Sequence, residues 1–237
     1  TTYVVNRLQN YAQEAQSDFK AYLDIARAAN VDVSYHSFFI FNGLAVTADA
    51  DFIWHLALHR DVERLAINET YSINSDSASL APGLAAPENN ISQINADDVW
   101  NTYGISGTDV VVANIDTGVQ FTHPALVANY LGNSNGVINH DFAWYDATDA
   151  AITVPYDDNG HGTHTMGTSA GGDGPGPFTD DIGVAPGASW IAVKAFSAAG
   201  TGTAVDLHTA FEWIIAPCAE GRDPGDPSCD PARAPDI

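Results

Sequence analysis

The first seventy or so residues alternate between helical and strand-like spacing of apolar positions. Tyr3-Val4-Val5 reads as a short strand. Leu8, Tyr11, Ala12, Ala15, Phe19, Tyr22, Leu23 and Ala26 then recur at the three-to-four spacing of a helix, and Asn30 stands where that helix would stop. Val31, Val33, Tyr35, Ser37, Phe39 and Phe41 alternate as one face of a strand. Asn42-Gly43 is a hairpin turn signal, and Leu44-Ala45-Val46 begins the return strand. Asp49 can cap a second helix carrying Phe52, Ile53, Leu56 and Ala57, with a last strand expected over Val62–Ile67. The order β-α-β-β-α-β predicts a ferredoxin-like α+β domain over residues 1–74.

The pattern breaks over residues 75–90. Ser, Asn, Pro, Gly and Ala dominate without apolar period, so this stretch reads as an exposed linker open to proteolysis. From Ile91 onward a second α/β region is expected. A short helix spans Asn95 to Trp100. Val110–Ile115 and Trp190–Phe196 are continuous apolar runs, the pattern of strands buried on both faces of a parallel sheet. Ala204, Leu207, Phe211, Ile214 and Ile215 form a helical stripe. Such alternation predicts the N-terminal half of a doubly wound, mostly parallel domain over residues 91–237.

Composition narrows the function classes. At 237 residues and 45 % apolar, the chain can bury a sizeable core. Thirty acidic against eight basic residues give a formal charge of -22, which repels phosphate backbones and anionic membranes, so nucleic acid is excluded as a partner. No apolar run is long enough for a membrane span. Cys218 and Cys229 lie close together in a Pro/Asp/Gly-rich stretch; in a secreted protein a disulfide can close it, and two free thiols are the other reading.

Two strings carry candidate chemistry. Asp116-Thr117-Gly118 directly follows a predicted parallel strand, placing a carboxylate at the strand end where α/β folds hold their ligands. It reads either as a functional acid or as a turn-capping Asp. The second string runs from Asp157 through Asn159-Gly160-His161-Gly162-Thr163-His164 to Gly167-Thr168. Its small residues let a helix starting at His161 pack very close to a neighbour. A metal site on His161 and His164 is the competing reading, but their i, i+3 spacing and the missing Glu differ from a zinc-peptidase helix.

Together these strings resemble the subtilase family of serine peptidases. Val111 to Val119 with His123-Pro124 is similar to its aspartate motif, and Gly160-His161-Gly162-Thr163-His164 with Gly167-Thr168 to its histidine motif. Gly183-Val184-Ala185-Pro186 followed by Ala192-Val193-Lys194 resembles the family's next strand, and details after His161 look closest to bacillopeptidase F-like members. The order Asp then His matches the Asp-His-Ser order of subtilisin, itself a standard illustration of this chemistry.

The resemblance implies an exported zymogen, extracellular or in the cell envelope, that hydrolyses polypeptides. Asp116 and His161 would be two of its three catalytic residues. Gly200, Thr201 and Gly202 would pair with extended substrate, and Phe196 would line a neighbouring subsite. Residues 1–74 would be a propeptide that folds and inhibits its own enzyme until the linker is cut. No cofactor is implied for catalysis. A structural calcium lacks support, because Ala125 stands where the family often has an Asp, and Asp157-Asp158 and Asp180-Asp181 read as solvated acids. The family's Gly-Thr-Ser-x-Ala string is absent, and Ser169 and Ser189 lack its context. The chain therefore reads as a piece whose missing C-terminal part supplies the serine, and which is inactive alone. Two other readings stay open. One is a truncated form acting as inhibitor or chaperone through its prodomain. The other is an aspartic peptidase built on Asp116-Thr117-Gly118, which would need a β-rich fold.

Overall fold

A computed structural model describes residues 1–73, 89–172 and 182–237. The chain divides into two units, Thr1–Thr70 and Tyr71–Ile237.

The first unit opens with one long helix, α1 (Thr2–Ala28). Tyr3-Val4-Val5 is its first turn and not the expected strand. Val5, Ala12, Gln16, Phe19 and Leu23 are the buried positions and form a single helical stripe; of the predicted residues Ala12, Phe19 and Leu23 lie on it, while Tyr11 is 60 % exposed. Asn30 ends the helix with φ 65, as its left-handed tolerance allows. An antiparallel hairpin follows, β1 (Val33–Phe38) with β2 (Gly43–Ala48), paired from Val33↔Ala48 to Phe38↔Gly43. Its turn is longer than the two-residue one expected, and Gly43 opens the return strand. Phe38 and Phe39 are buried at the corner, and buried Gln16 donates from Nε2 to Phe38 O at 2.8 Å. Helix α2 (Ala50–Ala57) is capped by Asp49, whose Oδ1 accepts from Phe52 N at 2.7 Å. Phe19, Leu23, Val33 and Leu56 form the core. Residues 62–67 form no strand. Five of the six are exposed, so nothing there offers the apolar face a third strand would need. The ferredoxin-like sheet is thus not formed among the described residues; its place is taken by two helices and a two-stranded hairpin.

The second unit begins at Tyr71, and Tyr71 and Ser72 are the last two residues of β3 (Thr70–Ser72). Asn89 and Asn90, assigned above to the linker, already begin α3 (Asn89–Gln93); the rest of residues 75–90, like Asp180-Asp181, lies outside the described residues. Helix α4 (Ala96–Tyr103) follows. The central sheet is parallel, with β8 (Ser189–Lys194) between β4 (Val111–Asp116) and β7 (Trp144–Asp146). Between β4 and β7 lies a small hairpin, β5 (Asn133–Ser134) with β6 (Val137–Ile138). As the middle strand, β8 is buried almost throughout; β4 is half-buried and, among the described residues, Asp236 and Ile237 border its other edge. There Ala113 N donates to Ile237 O at 2.8 Å and Asp236 N to Val111 O at 2.9 Å.

Helix α5 (His161–Ala170) packs on β4, and α6 (Ala204–Ile215) on all three strands. A capping box between Thr203 and Asp206 starts α6. Ala210 and Trp213 face the core, with Trp213 stacked on Tyr145, while Phe211 of the predicted stripe is half-exposed. A disulfide joins Cys218 to Cys229, and a single 3-10 turn, Pro231–Arg233, leads to the last residues.

Candidate active site

Period-two alternation along β4 puts Asn114 and Asp116 on one face, toward α5. Asp116 ends the strand, 7 % exposed. Its carboxylate faces His161, the first residue of α5: His161 Nδ1 lies 2.7 Å from Asp116 Oδ1 and 2.9 Å from Oδ2. A carboxylate only accepts, so the proton in this pair sits on Nδ1. In the neutral imidazole this leaves the lone pair on Nε2, on a side chain 28 % exposed.

Further bonds fix the pair. Thr117 N donates to Asp116 Oδ1 at 2.7 Å. Thr165, one turn after His161, places Oγ1 3.0 Å from Asp116 Oδ2 and 3.1 Å from Gly162 O, while Asn114 Nδ2 donates to Thr165 Oγ1 at 2.9 Å. The close packing of α5 on the aspartate loop depends on Gly162, where a Cβ would stand 2.0 Å from Gly118 O and 3.1 Å from Asp116 Cβ. Gly118 itself has φ 102, a conformation open to glycine.

The loop before α5 is tied to the same place by Asp157. Its Oδ1 accepts from Thr117 Oγ1 at 2.8 Å, Gly160 N at 2.8 Å and Asn159 N at 3.1 Å. Its Oδ2 accepts from Thr163 N at 2.9 Å and Thr163 Oγ1 at 2.6 Å. Burial pushes this carboxyl up, but the bonds from Thr163, Gly160 and Thr117 outweigh it and hold the group below the usual carboxylate range. Asp158 bonds to Lys194 Nζ at 2.7 Å. The reading of Asp157-Asp158 as merely solvated acids is therefore corrected: both are structural acceptors. His164 points to solvent, and among the described residues no group of three His, Cys, Asp or Glu side chains is gathered.

Beside the pair, the chain leaves β8 with Ala195 N and Phe196 N both donating to Asp116 O, at 2.8 and 3.2 Å. It turns through a tight loop, where Ser197 N donates to Thr201 O, into β9 (Thr201–Thr203). Strand β3 pairs with β9, and Ile73 N donates to Gly200 O at 2.9 Å. Gly200, Thr201 and Gly202 thus lie along the edge with which β3 and Ile73 pair. Phe196, expected to line a subsite, is 8 % exposed and belongs to the main core. Ser169 bonds back to Thr165 O within α5, and Ser189 begins β8.

The supporting residues Thr117, Asp157, Thr165 and Lys194 escaped the sequence reading as individuals. Thr165 alone had a local signal, its i, i+4 spacing from His161 on a helix. The others meet only because β4, β8 and α5 converge.

The sequence profile of the subtilase family matches residues 107–226. Bacillopeptidase F of Bacillus subtilis (strain 168) is 39 % identical over 247 residues, covering 99 % of this chain and 16 % of that protein. Serine protease AprX of the same strain is 36 % identical over 119 residues, 49 % of this chain and 23 % of that protein. Minor extracellular protease Vpr, also of that strain, is 31 % identical over 185 residues, 74 % of this chain and 22 % of that protein. The chain spans less than a quarter of each of these three relatives. The matched region holds the whole Asp116–His161 site, and the chain belongs to the subtilase family.

Proposed function

We propose that the protein is an exported serine endopeptidase made as a zymogen, with Asp116 and His161 as two members of its catalytic triad. The observation that carries this reading is the two-pronged contact of His161 Nδ1 with a buried carboxylate. It holds the tautomer whose Nε2 can take a proton from a serine hydroxyl as that oxygen attacks a peptide carbonyl. The same Nε2 then returns the proton to the leaving amine, while Asp116 stabilises the imidazolium. The nucleophile is supplied by a serine outside these 237 residues, as are the donors of an oxyanion hole. Similarity to a protein described as an extracellular protease supports export, and no described helix is long and apolar enough to cross a membrane.

Gly200, Thr201 and Gly202 are proposed to bind polypeptide substrate as an added strand, with Phe196 supporting that edge from the core. The pairing of β3 and Ile73 with this edge supports inhibition by the chain's own N-terminal part. Residues up to about 74 would act as propeptide, residues 71–73 would hold the place of substrate, and a cut between 75 and 90 would release residues 91–237 as the N-terminal part of the catalytic domain.

The test is turnover of a chromogenic peptide by the whole protein. A serine-directed phosphonate is expected to abolish it, and Asp116→Asn to lower kcat by about 10⁴-fold, as loss of the oriented tautomer does elsewhere. Turnover indifferent to the phosphonate and to His161→Ala would overturn the reading. The 237 residues alone are expected to be inactive. Turnover by them that Asp116→Ala removes would refute the external nucleophile. With its serine replaced, the whole protein is expected to stay uncut, while the active form loses its N-terminal part.

A further inference from the structure

Seven of the eight Lys and Arg side chains are at the surface or half-buried; the eighth, Lys194, is 1 % exposed. Removing an ammonium from water costs several kcal/mol even after relaxation, so a lysine in this position must have its charge and all its donors satisfied. Lys194 does. Its Nζ lies 2.8 Å from Thr117 O, 2.8 Å from Phe196 O and 2.7 Å from Asp158 Oδ1, with three protons for three acceptors. The Tyr156 ring faces the ammonium, 4.9 Å from its centroid.

The identity of these partners gives the arrangement its meaning. Thr117 is the residue after Asp116. Asp158 lies three residues before His161. Phe196 begins the segment that leads to Gly200 and β9. The ammonium joins three stretches of chain that are remote in sequence, at the point where the aspartate loop, the histidine loop and the substrate edge meet. Backbone bonds from Ala195 N and Phe196 N to Asp116 O hold β8 to β4 just beside it. The loop carrying Asp158, which runs into His161, is joined to β8 and the chain just after it through side chains, by Lys194 Nζ to Asp158 Oδ1 at 2.7 Å and by Asn159 Nδ2 to Ala198 O at 2.9 Å.

We propose that Lys194 is a positioning residue for catalysis: its buried ammonium clamps the aspartate loop, the histidine loop and the substrate edge in the register that brings His161 Nδ1 onto Asp116. The proposal rests on the peptidase reading above. A merely structural lysine would be replaceable by a side chain of equal length without loss of activity in the molecules that fold, since buried ion pairs often yield to apolar isosteres. A clamp is not replaceable in this way. Displacements of about 1 Å in catalytic geometry cost on the order of 10²-fold in rate.

The experiment uses the full-length protein and three variants, Lys194→Met, Asp158→Ala and the double variant. Active sites are counted by irreversible phosphonate labelling, so misfolded molecules do not enter the rates. Lys194→Met is expected to lower kcat per labelled site by about 10- to 100-fold with KM changed by less than about 3-fold. Asp158→Ala, which removes one contact at the solvent end, is expected to lower kcat by about 3- to 10-fold. The double variant is expected to be no worse than Lys194→Met, because both act through one clamp. The low-field proton resonance of His161 Nδ1–H is expected in the wild type and lost or broadened in Lys194→Met. A kcat per labelled site within about 2-fold of wild type, with that resonance intact, overturns the proposal. If Lys194→Met fails to mature, Asp158→Ala decides alone: reduced kcat supports the clamp and unchanged kcat overturns it. Should the wild type show neither turnover nor labelling, the peptidase reading fails separately. The Nδ1 resonance, compared between wild type and the variants, still tests the clamp.

Discussion

Replacing Asp157 by Asn tests how the histidine loop is held. The substitution keeps the shape of the side chain but turns one acceptor oxygen into a donor. Oδ1 faces three donors and Oδ2 two. The better amide orientation therefore still sets its NH2 against Thr163 N, while the Thr163 hydroxyl can turn to accept from it. Hydrogen bonds to a charged acceptor contribute about 1.5–3 kcal/mol each and neutral ones about 0.5–1.5, so one lost bond and the weakening of the other four together amount to about 3–6 kcal/mol. The site is half-buried, and water takes over about half of that, leaving a net loss of about 2–3 kcal/mol. For a unit of this size the fall in Tm is about 4–12 °C.

The pH dependence has a definite sign. Asp157 is held below the usual carboxylate range, so its contribution is fully present above the unfolded value of about 3.9 and is lost as pH falls through the lower folded value. The stability gap between wild type and Asp157→Asn is therefore expected to be constant from about pH 7 to about pH 5 and to shrink below about pH 4. Urea unfolding followed by the fluorescence of the buried Trp144, Trp190 and Trp213 measures it. An unchanged midpoint at pH 7, or a gap that widens on acidification, would refute the reasoning.

Other outcomes follow from the packing. Gly162→Ala drives a methyl into Gly118 O and is expected to cost about 1–3 kcal/mol in stability. It should also lower kcat by on the order of 10²-fold, read in the same peptidase assay. Changing Cys218 and Cys229 together to Ser opens an 11-residue connection and is expected to lower stability by about 3 kcal/mol, seen as a lower urea midpoint that a reductant reproduces in the wild type. Leu23→Ala, at a fully buried position, is expected to cost about 2–5 kcal/mol, measured by thermal unfolding of the first unit.

The sequence by itself determined the elements whose signal is local. Strands β4 and β8 are continuous apolar runs, α2 is announced by its Asp49 cap, and α1 ends at an Asn suited to a left-handed residue. Asp116 and His161 were legible because each stands at a fixed place relative to its own strand or helix, within a motif that resembles a family. Tertiary structure decided the rest. Tyr3-Val4-Val5 has strand-like residues, but Val5 completes the buried stripe of α1, and packing overrides propensity there. Val62–Ile67 reads as a strand, but Val62 alone of the six packs on a core and no strand pairs with them among the described residues. In α6, the turn of the helix toward Tyr145 buries Trp213 and leaves Phe211 half in solvent.

The shell around Asp116 and His161 was the least legible part. Thr117, Asp157 and Lys194 meet across gaps of 40 and 77 residues, and no local period encodes such a meeting. A carboxylate among acids looks solvated, and a lysine at a strand end looks exposed, until the convergence of β4, β8 and α5 removes the water. Local propensity and spacing act over a few residues, whereas burial and charge pairing belong to the assembled fold. That is why Asp116 and His161 could be read from the chain and the groups that hold them could not.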